Sequence, residues 1–267
     1  MNRRILSVVV TVIGIAAFTA AIVLLSQTPA EPEPPYVYVE PEPEPEVEPE
    51  PEIEPVSETA EEPVQEPEIE EEPEPEQEFE PIFYRESLPD HIITQIDGVT
   101  FHYNTPFDHS FLTYLTVTHI NFDGEPTIGH LIVADEIGDE VLDIFQEIFE
   151  DGFPIYSIRL IDYFDALDYY SMSANNSHAF NFRTIAGTNT ISRHGFGMAI
   201  DINPIQNPYI RGETIWPAAG AEYLDRDNVR PGMIVPGSVV YYAFTRRGWV
   251  WGGHWSSPRD YHHFERR

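Results

Sequence analysis

The chain contains no cysteine and no lysine among its 267 residues, and all 14 basic residues are arginine. Without cysteine the fold has no disulfide bonds, and no thiolate is available to bind a metal ion. From Glu31 to Glu80 there are 22 acidic residues and no basic one, so this interval carries most of the net charge of −32. Because no basic patch is available to displace counterions, we expect no nucleic-acid partner.

An uncharged run of 22 residues, from Ile5 to Ser26, follows Arg3 and Arg4. At ~1.5 Å rise per residue, a helix of this length crosses a hydrocarbon core of ~30 Å. We therefore expect residues 1–27 to form a single-pass membrane anchor, with the arginines in the cytoplasm and the rest of the chain outside the cell. A signal peptide that is cleaved to release a secreted protein is the alternative.

Residues 28–81 are dominated by Pro-Glu pairs. Proline removes backbone donors, like charges repel one another, and such a segment has no apolar surface from which to build a core. We expect a disordered, extended stalk that acts as a spacer between the membrane and a folded domain.

Residues 82–267 have the mixed, aromatic-rich composition of a globular domain. The patterns predict strands at 111–121, 127–133, 155–161 and 198–202. Asp123-Gly124 marks a turn between the first two strands, and 162–190 has no regular pattern. The segment 239–245 fits a helix or a strand equally well, and 248–255 is a glycine-broken aromatic loop.

Apolar residues from Asp135 to Glu150 recur at helical spacing, which predicts an amphipathic helix. Asp135 is placed to be its N-cap and Gly152 to end it. Together these elements predict an α+β fold, with a small mixed antiparallel sheet and flanking helices.

Imidazoles and carboxylates concentrate in two short motifs, SRHGFGMAID at 192–201 and DYHHFE at 260–265. A catalytic zinc ion takes about three nitrogen or oxygen ligands from the protein and keeps one position open for water. A nearby carboxylate then takes the proton of that water. The residues available for these roles are His194, Asp201 and His263 as ligands and Asp260 as the carboxylate.

Each of these residues also fits an ordinary structural role. His194 suits a surface loop, Asp201 suits a turn cap before Asn203-Pro204, and the second motif suits a solvated chain end. His262 competes with His263 as a ligand, and spacing alone does not choose between the two neighbours.

Taken together, Ser192-x-His194-x-x-Gly197-x-Ala199-x-Asp201 and Asp260-x-x-His263-Phe264-Glu265 resemble the zinc D-alanyl-D-alanine carboxypeptidases of the VanY-like M15 peptidases. The resemblance runs from about Leu112 to Phe264. Further short segments that share it are Phe122-Asp123-Gly124, Gly129-x-Leu131-x-Val133, Pro154-Ile155, Asn175-Asn176-x-x-Ala179-Phe180-Asn181-x-Arg183 and Asp201-Ile202-Asn203-Pro204.

The resemblance implies a fold shared with the Hedgehog signalling domain, with His194, Asp201 and His263 as zinc ligands and Asp260 as general base. It also implies an arginine that holds the scissile carbonyl or oxyanion. Arg183 is the first choice because it ends the matched Asn-rich segment, and Arg159 is the alternative. A structural ion pair is the ordinary role for either arginine.

Weaker expectations concern the neighbours of the two motifs. Ser192 suits either substrate orientation or turn capping, and Glu265 suits a hydrogen bond to a metal-bound histidine. Trp249, Trp251 and Trp255 suit either a substrate cleft or core packing.

The expected function is zinc-dependent hydrolysis of the peptide stem of peptidoglycan. The resemblance favours a carboxypeptidase that removes the terminal D-alanine. The alternatives are an endopeptidase that cuts within the stem or cross-link, and a metal-binding or wall-binding module without catalysis. Neither oligomeric state nor regulation follows from the sequence.

Overall fold

The computed structural model describes residues 79–267, which form a mixed α+β unit. The α-helices are α1 (Asp90–Ile96), α2 (Gly138–Asp151), α3 (Asp168–Ser173) and α4 (Val239–Thr245). The strands are β1 (Phe83–Ser87), β2 (Leu112–Ile120), β3 (Pro126–Ala134), β4 (Ser157–Ile158), β5 (Asn176–Ser177), β6 (Ala199–Asp201), β7 (Tyr209–Arg211), β8 (Thr214–Trp216), β9 (Val250–Trp251), β10 (Arg259–Asp260) and β11 (His263–Glu265).

The longest strands form an antiparallel sheet in the order β1-β2-β3. β2 pairs with β3 along its whole length, from Leu112 opposite Ala134 to Ile120 opposite Pro126. The turn between them contains Gly124 at φ +83, a left-handed conformation that suits glycine. The hairpin predicted at 111–121 and 127–133 is therefore confirmed.

Helix α2 lies against this sheet through the apolar stripe that its sequence predicts. Val141, Ile144, Phe145 and Ile148 are buried, because residues three and four apart share one face of a helix. The helix ends at Gly152, which adopts the left-handed conformation (φ 76) as expected.

The predicted N-cap at Asp135 is wrong. Residues Asp135–Ile137 form a 3-10 helix before α2, and Asp135 pairs with Arg85 of β1 instead of capping a backbone amide. The ion pair with a neighbouring strand uses the carboxylate that capping would need.

A second small sheet, in the order β6-β11-β9, contributes buried residues to the core. Ile200 and Phe264 stand opposite each other in it and are fully buried. Phe264 also stacks on Phe244 of α4 with ring centroids 4.2 Å apart. The strand predicted at 198–202 is thus confirmed, and 239–245 is a helix.

Two further sheets are very short: β10-β7-β8 is antiparallel and β4-β5 is parallel. The strand predicted at 155–161 is reduced to β4, because Ile161 begins a 3-10 helix that ends at Phe164. The segment 162–190, predicted to be irregular, contains α3 and β5. The antiparallel strands therefore belong to several small sheets, not to the single small sheet that the sequence predicted.

The expected anchor (residues 1–27) and nearly all of the expected stalk (28–81) lie outside the described residues, so these predictions and the domain boundary at residue 82 stay predictions. Within residues 79–267, no helix has both the length and the apolar character needed to cross a membrane.

Candidate metal centre

Asp201 lies at the end of β6 with a histidine paired to it on each side. His263 of β11 stands directly opposite it in the antiparallel register. On the other edge, His178 forms an antiparallel bridge with it, with backbone N–H···O distances of 2.9 and 3.1 Å. Directly opposed residues point to the same face of a sheet, so the backbone gathers three ionisable side chains there.

His194 reaches the same place from a 3-10 helix, Arg193–Phe196. Ser192 is the N-cap of this helix, and its hydroxyl accepts a hydrogen bond from the His194 amide. Gly197 is the C-cap and adopts the left-handed conformation. Ser192 is therefore a turn cap. The Nδ1–H of His194 donates to the carbonyl of Ala179 at 2.5 Å, which leaves Nε2 as the atom that faces Asp201.

We refer to His194, Asp201 and His263, the three residues predicted from the sequence to bind the metal, as the metal triad. Oδ1 of Asp201 lies 3.2 Å from Nε2 of His194 and 2.9 Å from Nδ1 of His263. The two ring nitrogens are 3.2 Å apart. Ligand atoms bound at about 2.0–2.1 Å to a tetrahedral ion are separated by about 3.3–3.4 Å. The triad therefore fits one zinc-sized ion after small side-chain movements.

Glu265 contacts the other nitrogen of His263, with Oε2 3.5 Å from Nε2. Its hydrogen bond to His263 lowers the pKa of the Glu265 carboxyl to about 2. An anionic partner on Nε2–H directs the lone pair of Nδ1 into the triad, which is the orienting role expected for Glu265.

His262 does not belong to the triad. Its Nδ1–H donates to the carbonyl of Asn207 at 2.7 Å, and its Nε2 lies 3.0 Å from Oδ1 of Asp260. The register of β11 sets His263, and not His262, directly opposite Asp201, which favours His263 as the ligand.

Asp260 is held in β10, opposite Tyr209 of β7. Its side chain is 12% exposed, and Oδ1 is buried with no hydrogen-bond partner among the described residues, so its approach to His262 is an ion-pair contact. Gly252 lies against it: a Cβ there would come within 2.6 Å of the Asp260 carbonyl oxygen. The glycine-rich loop therefore packs directly on the candidate base.

Within the site, histidines and carboxylates shift each other's pKa values in opposite directions. Burial disfavours charge on His262, but Asp260 and Asp201 outweigh it and raise its pKa to about 9. Burial likewise opposes charge on His263, yet its contacts with Asp201 and Glu265 raise the pKa to about 10. Burial also opposes charge on Asp201, but His194 and His262 bring its pKa well below the usual value. Asp201 is therefore an ionised carboxylate surrounded by imidazoles.

His178 was missed by the sequence reasoning. It is buried, and its ring stacks on that of His194 with centroids 5.1 Å apart. The potential ligand atoms of His178, His194 and Asp201 all lie within 4.8 Å of one another. Burial lowers the pKa of His178 to about 4, so its ring is neutral. The only sequence signal was its place within the Asn-rich segment. Its proximity to Asp201 comes from a bridge between distant parts of the chain, which the sequence pattern does not show.

The structure separates the two candidate arginines. Arg183 pairs with Asp168 at 2.6 Å, and Asp168 in turn lies 4.0 Å from His178, so Arg183 stands at the edge of the site. Arg159 instead lines a cavity of about 460 Å³ to which no triad residue contributes. Of the two arginines, Arg183 is therefore the one connected to the site, through Asp168 and His178.

The three candidate tryptophans also differ in whether they lie next to the site. Trp249 and Trp251 are buried in the main core, where their indole N–H groups donate to Glu140 and to the Tyr261 carbonyl. Trp255 alone reaches the site, with its ring 5.4 Å from that of His263.

Residues 186–266 match a family model described as D-alanyl-D-alanine carboxypeptidase, of the M15 peptidases. The matched segment includes the metal triad and Asp260, whereas His178, Arg183 and Arg159 precede it. Neither a curated protein nor a solved structure gives a significant match. The family match and the histidine–aspartate cluster support a metallopeptidase of the M15 type.

Proposed function

We propose that this protein is a zinc-dependent D-alanyl-D-alanine carboxypeptidase, which removes the terminal D-alanine from peptidoglycan stem peptides. The observation that carries the proposal is the metal triad, whose three ligand atoms lie 2.9–3.2 Å apart within the segment that matches the family. Two imidazoles and one carboxylate are a donor set that suits zinc, and three ligands leave one position for chemistry.

His194, Asp201 and His263 would hold the zinc ion, which would supply Lewis acidity for a scissile carbonyl and for water near neutral pH. The buried carboxylate of Asp260 accepts the proton that the attacking water loses and then returns it to the departing amine. His262, whose Nε2 lies 3.0 Å from Oδ1 of Asp260, places a positive charge beside this carboxylate.

Arg183 is the residue that we assign to the substrate. Asp168 holds one of its terminal nitrogens, and the remaining guanidinium N–H groups can donate to the developing oxyanion or to the terminal carboxylate of the peptide. Trp255 supplies an apolar surface beside His263 for the residue next to the cleaved bond.

In this proposal the chain acts outside the cell, attached through residues 1–27 and extended from the membrane by residues 28–81. The proposed partners are the peptidoglycan stem peptide as substrate and the membrane through the anchor. A zone of repelling carboxylates and prolines suits a spacer, because it favours extended chain over collapse.

The test uses the full-length chain, loaded with zinc or treated with chelator, on a muropeptide that ends in D-Ala-D-Ala. Mass spectrometry locates the cleaved bond. Loss of one terminal alanine that chelator abolishes and zinc restores is the expected result. An internal cut would replace this proposal with an endopeptidase, and bound zinc without any cleavage would replace it with a binding module.

A further inference from the structure

A stacked pair of aromatic rings lies beside the candidate base in the three-stranded sheet β10-β7-β8. Asp260 of β10 is opposite Tyr209 of β7, and Tyr209 is opposite Trp216 of β8. Directly opposed residues of antiparallel strands point to the same face of a sheet. The side chains of Asp260, Tyr209 and Trp216 therefore form one row across the sheet.

This row lies on the face of the sheet that does not pack on the main core. Ile210, the next residue of β7, points to the opposite face and packs against the core. The rings of Tyr209 and Trp216 stack with centroids 5.7 Å apart and planes 20° from parallel. Trp216 is nevertheless 48% exposed, since β8 is an edge strand that no other strand of residues 79–267 covers. A large apolar ring exposed beside a candidate site indicates a surface for a ligand.

Helix α3 connects the same strand to the other side of the site. It is in contact with β8, and its Asp168 pairs with Arg183. Strand β8 is thus linked to the candidate base through β7 and to the candidate substrate arginine through α3. The aromatic surface is therefore an extension of the candidate site.

The spacing of the strands sets how far along a substrate this surface acts. Neighbouring strands lie about 4.7–4.9 Å apart, so Trp216 is about 10 Å from Asp260 across two spacings. An extended peptide advances about 3.3 Å per residue, so this span corresponds to about three residues from the cleaved bond. The substrate of a carboxypeptidase has only one residue on the leaving side. The residues that reach Trp216 therefore belong to the acyl side of the stem peptide.

We propose that Tyr209 and Trp216 form a binding surface for the acyl side of the stem peptide, about three residues from the cleaved bond. The flat indole face packs on the backbone and aliphatic groups of an extended chain. The inference rests on the proposed function, because it takes Asp260 to mark the cleaved bond and the reaction to release one residue. Within that function, Trp216 is a specificity-determining residue that favours long substrates over short ones.

Two substrates of different length test this surface in the full-length, zinc-loaded protein. One is a stem pentapeptide that ends in D-Ala-D-Ala, and the other is N-acetyl-D-Ala-D-Ala, which is too short to reach Trp216. We compare the kcat/KM for the pentapeptide with the kcat/KM for the short substrate. For Trp216→Ala we expect this ratio to fall about 10-fold, mainly through a higher KM for the pentapeptide.

Two further variants show whether the aromatic face is responsible. Trp216→Phe keeps an aromatic ring and should recover most of the ratio. The matched control Tyr84→Ala removes a ring that is 56% exposed on β1, another edge strand, and should keep the wild-type ratio. If Trp216→Ala does not fold, Trp216→Leu takes its place, because leucine fills space without an aromatic face.

The ratio separates this surface from the proposed function. An unchanged ratio in Trp216→Ala, with an active wild-type enzyme, would refute the surface and leave the proposed function in place. An equal loss on both substrates would show that Trp216 supports the fold or the metal centre, which also refutes the surface. No hydrolysis of either substrate by the wild-type protein would overturn both proposals.

Discussion

Asp201 organises the site at the scale of single residues, because its backbone and both of its carboxylate oxygens contact histidines. The backbone pairs with His178 and His263, while the side chain faces four imidazoles. Such a buried carboxylate is tolerated only with compensating positive charge. The same compensation makes it a strong cation ligand once the histidines lose their protons.

Asp260 provides the sharpest test of the proposed chemistry. In Asp260→Asn the amide keeps the shape of the carboxylate but accepts no proton, so we expect hydrolysis to fall by about 100- to 10,000-fold. Zinc content should equal that of the wild type, because Asp260 is not in the triad. The exposed Asp227→Asn serves as the control. Undiminished hydrolysis by Asp260→Asn would remove Asp260 from the mechanism.

The two arginines are distinguished by parallel substitution. For Arg183→Ala we expect kcat/KM to fall about 100- to 1,000-fold, since a donor aimed at the oxyanion is lost. For Arg159→Ala we expect no more than about a twofold change, because its cavity contains no triad residue. Steady-state kinetics on the same muropeptide measure both, and the reverse order of effects would assign the substrate role to Arg159.

At the scale of elements, the 3-10 helix Arg193–Phe196 positions His194 because both of its ends are specified. Ser192 caps the start, and Gly197 ends it at φ +62 while its carbonyl accepts a hydrogen bond from the Ala134 amide of β3. A Cβ on Gly197 would lie 2.5 Å from that amide nitrogen. The long hairpin therefore sets the position of the first metal motif.

Gly197→Ala should consequently destabilise the fold and weaken metal binding. Gly212→Ala is the matched control, with a similar φ of +60 and no atom near the added Cβ. We expect the control to cost about 1 kcal/mol from the left-handed backbone and Gly197→Ala to cost about 1–3 kcal/mol more from overpacking. Chemical denaturation of both variants measures the difference, and equal losses would show that contact with β3 is unimportant.

At the scale of the whole molecule, folding and metal binding act in opposite directions on the same histidines. Folding without metal favours their protonated form, whereas metal binding displaces the protons. Without metal, the pKa values of His262 and His263 are raised to about 9 and about 10 from the unfolded value of 6.5. The folded state then binds more protons, so the stability from these residues is complete below about pH 6.5. It is lost as the pH rises through 9 to 10.

We therefore expect the melting temperature of the chelator-treated chain to fall from about pH 6.5 to about pH 10 through these two groups. Zinc affinity should rise over the same interval, because binding displaces the protons. Thermal melts and a competition assay with a metal indicator, made at matched ionic strength, measure the two trends. An affinity that does not change with pH would contradict protonated histidines at the site.

Prediction from sequence succeeded where the signal is local. The hairpin, the stripe of α2 and its end at Gly152 follow from residues within a few positions of one another. It failed where a distant partner intervened, as when Arg85 engaged Asp135 and removed the expected cap. The strand predicted at 155–161 shortened to Ser157–Ile158 because the chain turns into a 3-10 helix at Ile161.

For the candidate site, the sequence by itself determined which chemical groups are available: imidazoles and carboxylates concentrated in two motifs, and no thiolate. The tertiary structure decided which of them meet. The register of β11 set His263 directly opposite Asp201, and the bridge to β6 brought in His178, which no spacing rule connects to Asp201. Residue type depends on the chain alone, whereas proximity depends on the pairing of strands distant in sequence, and only folding sets that pairing.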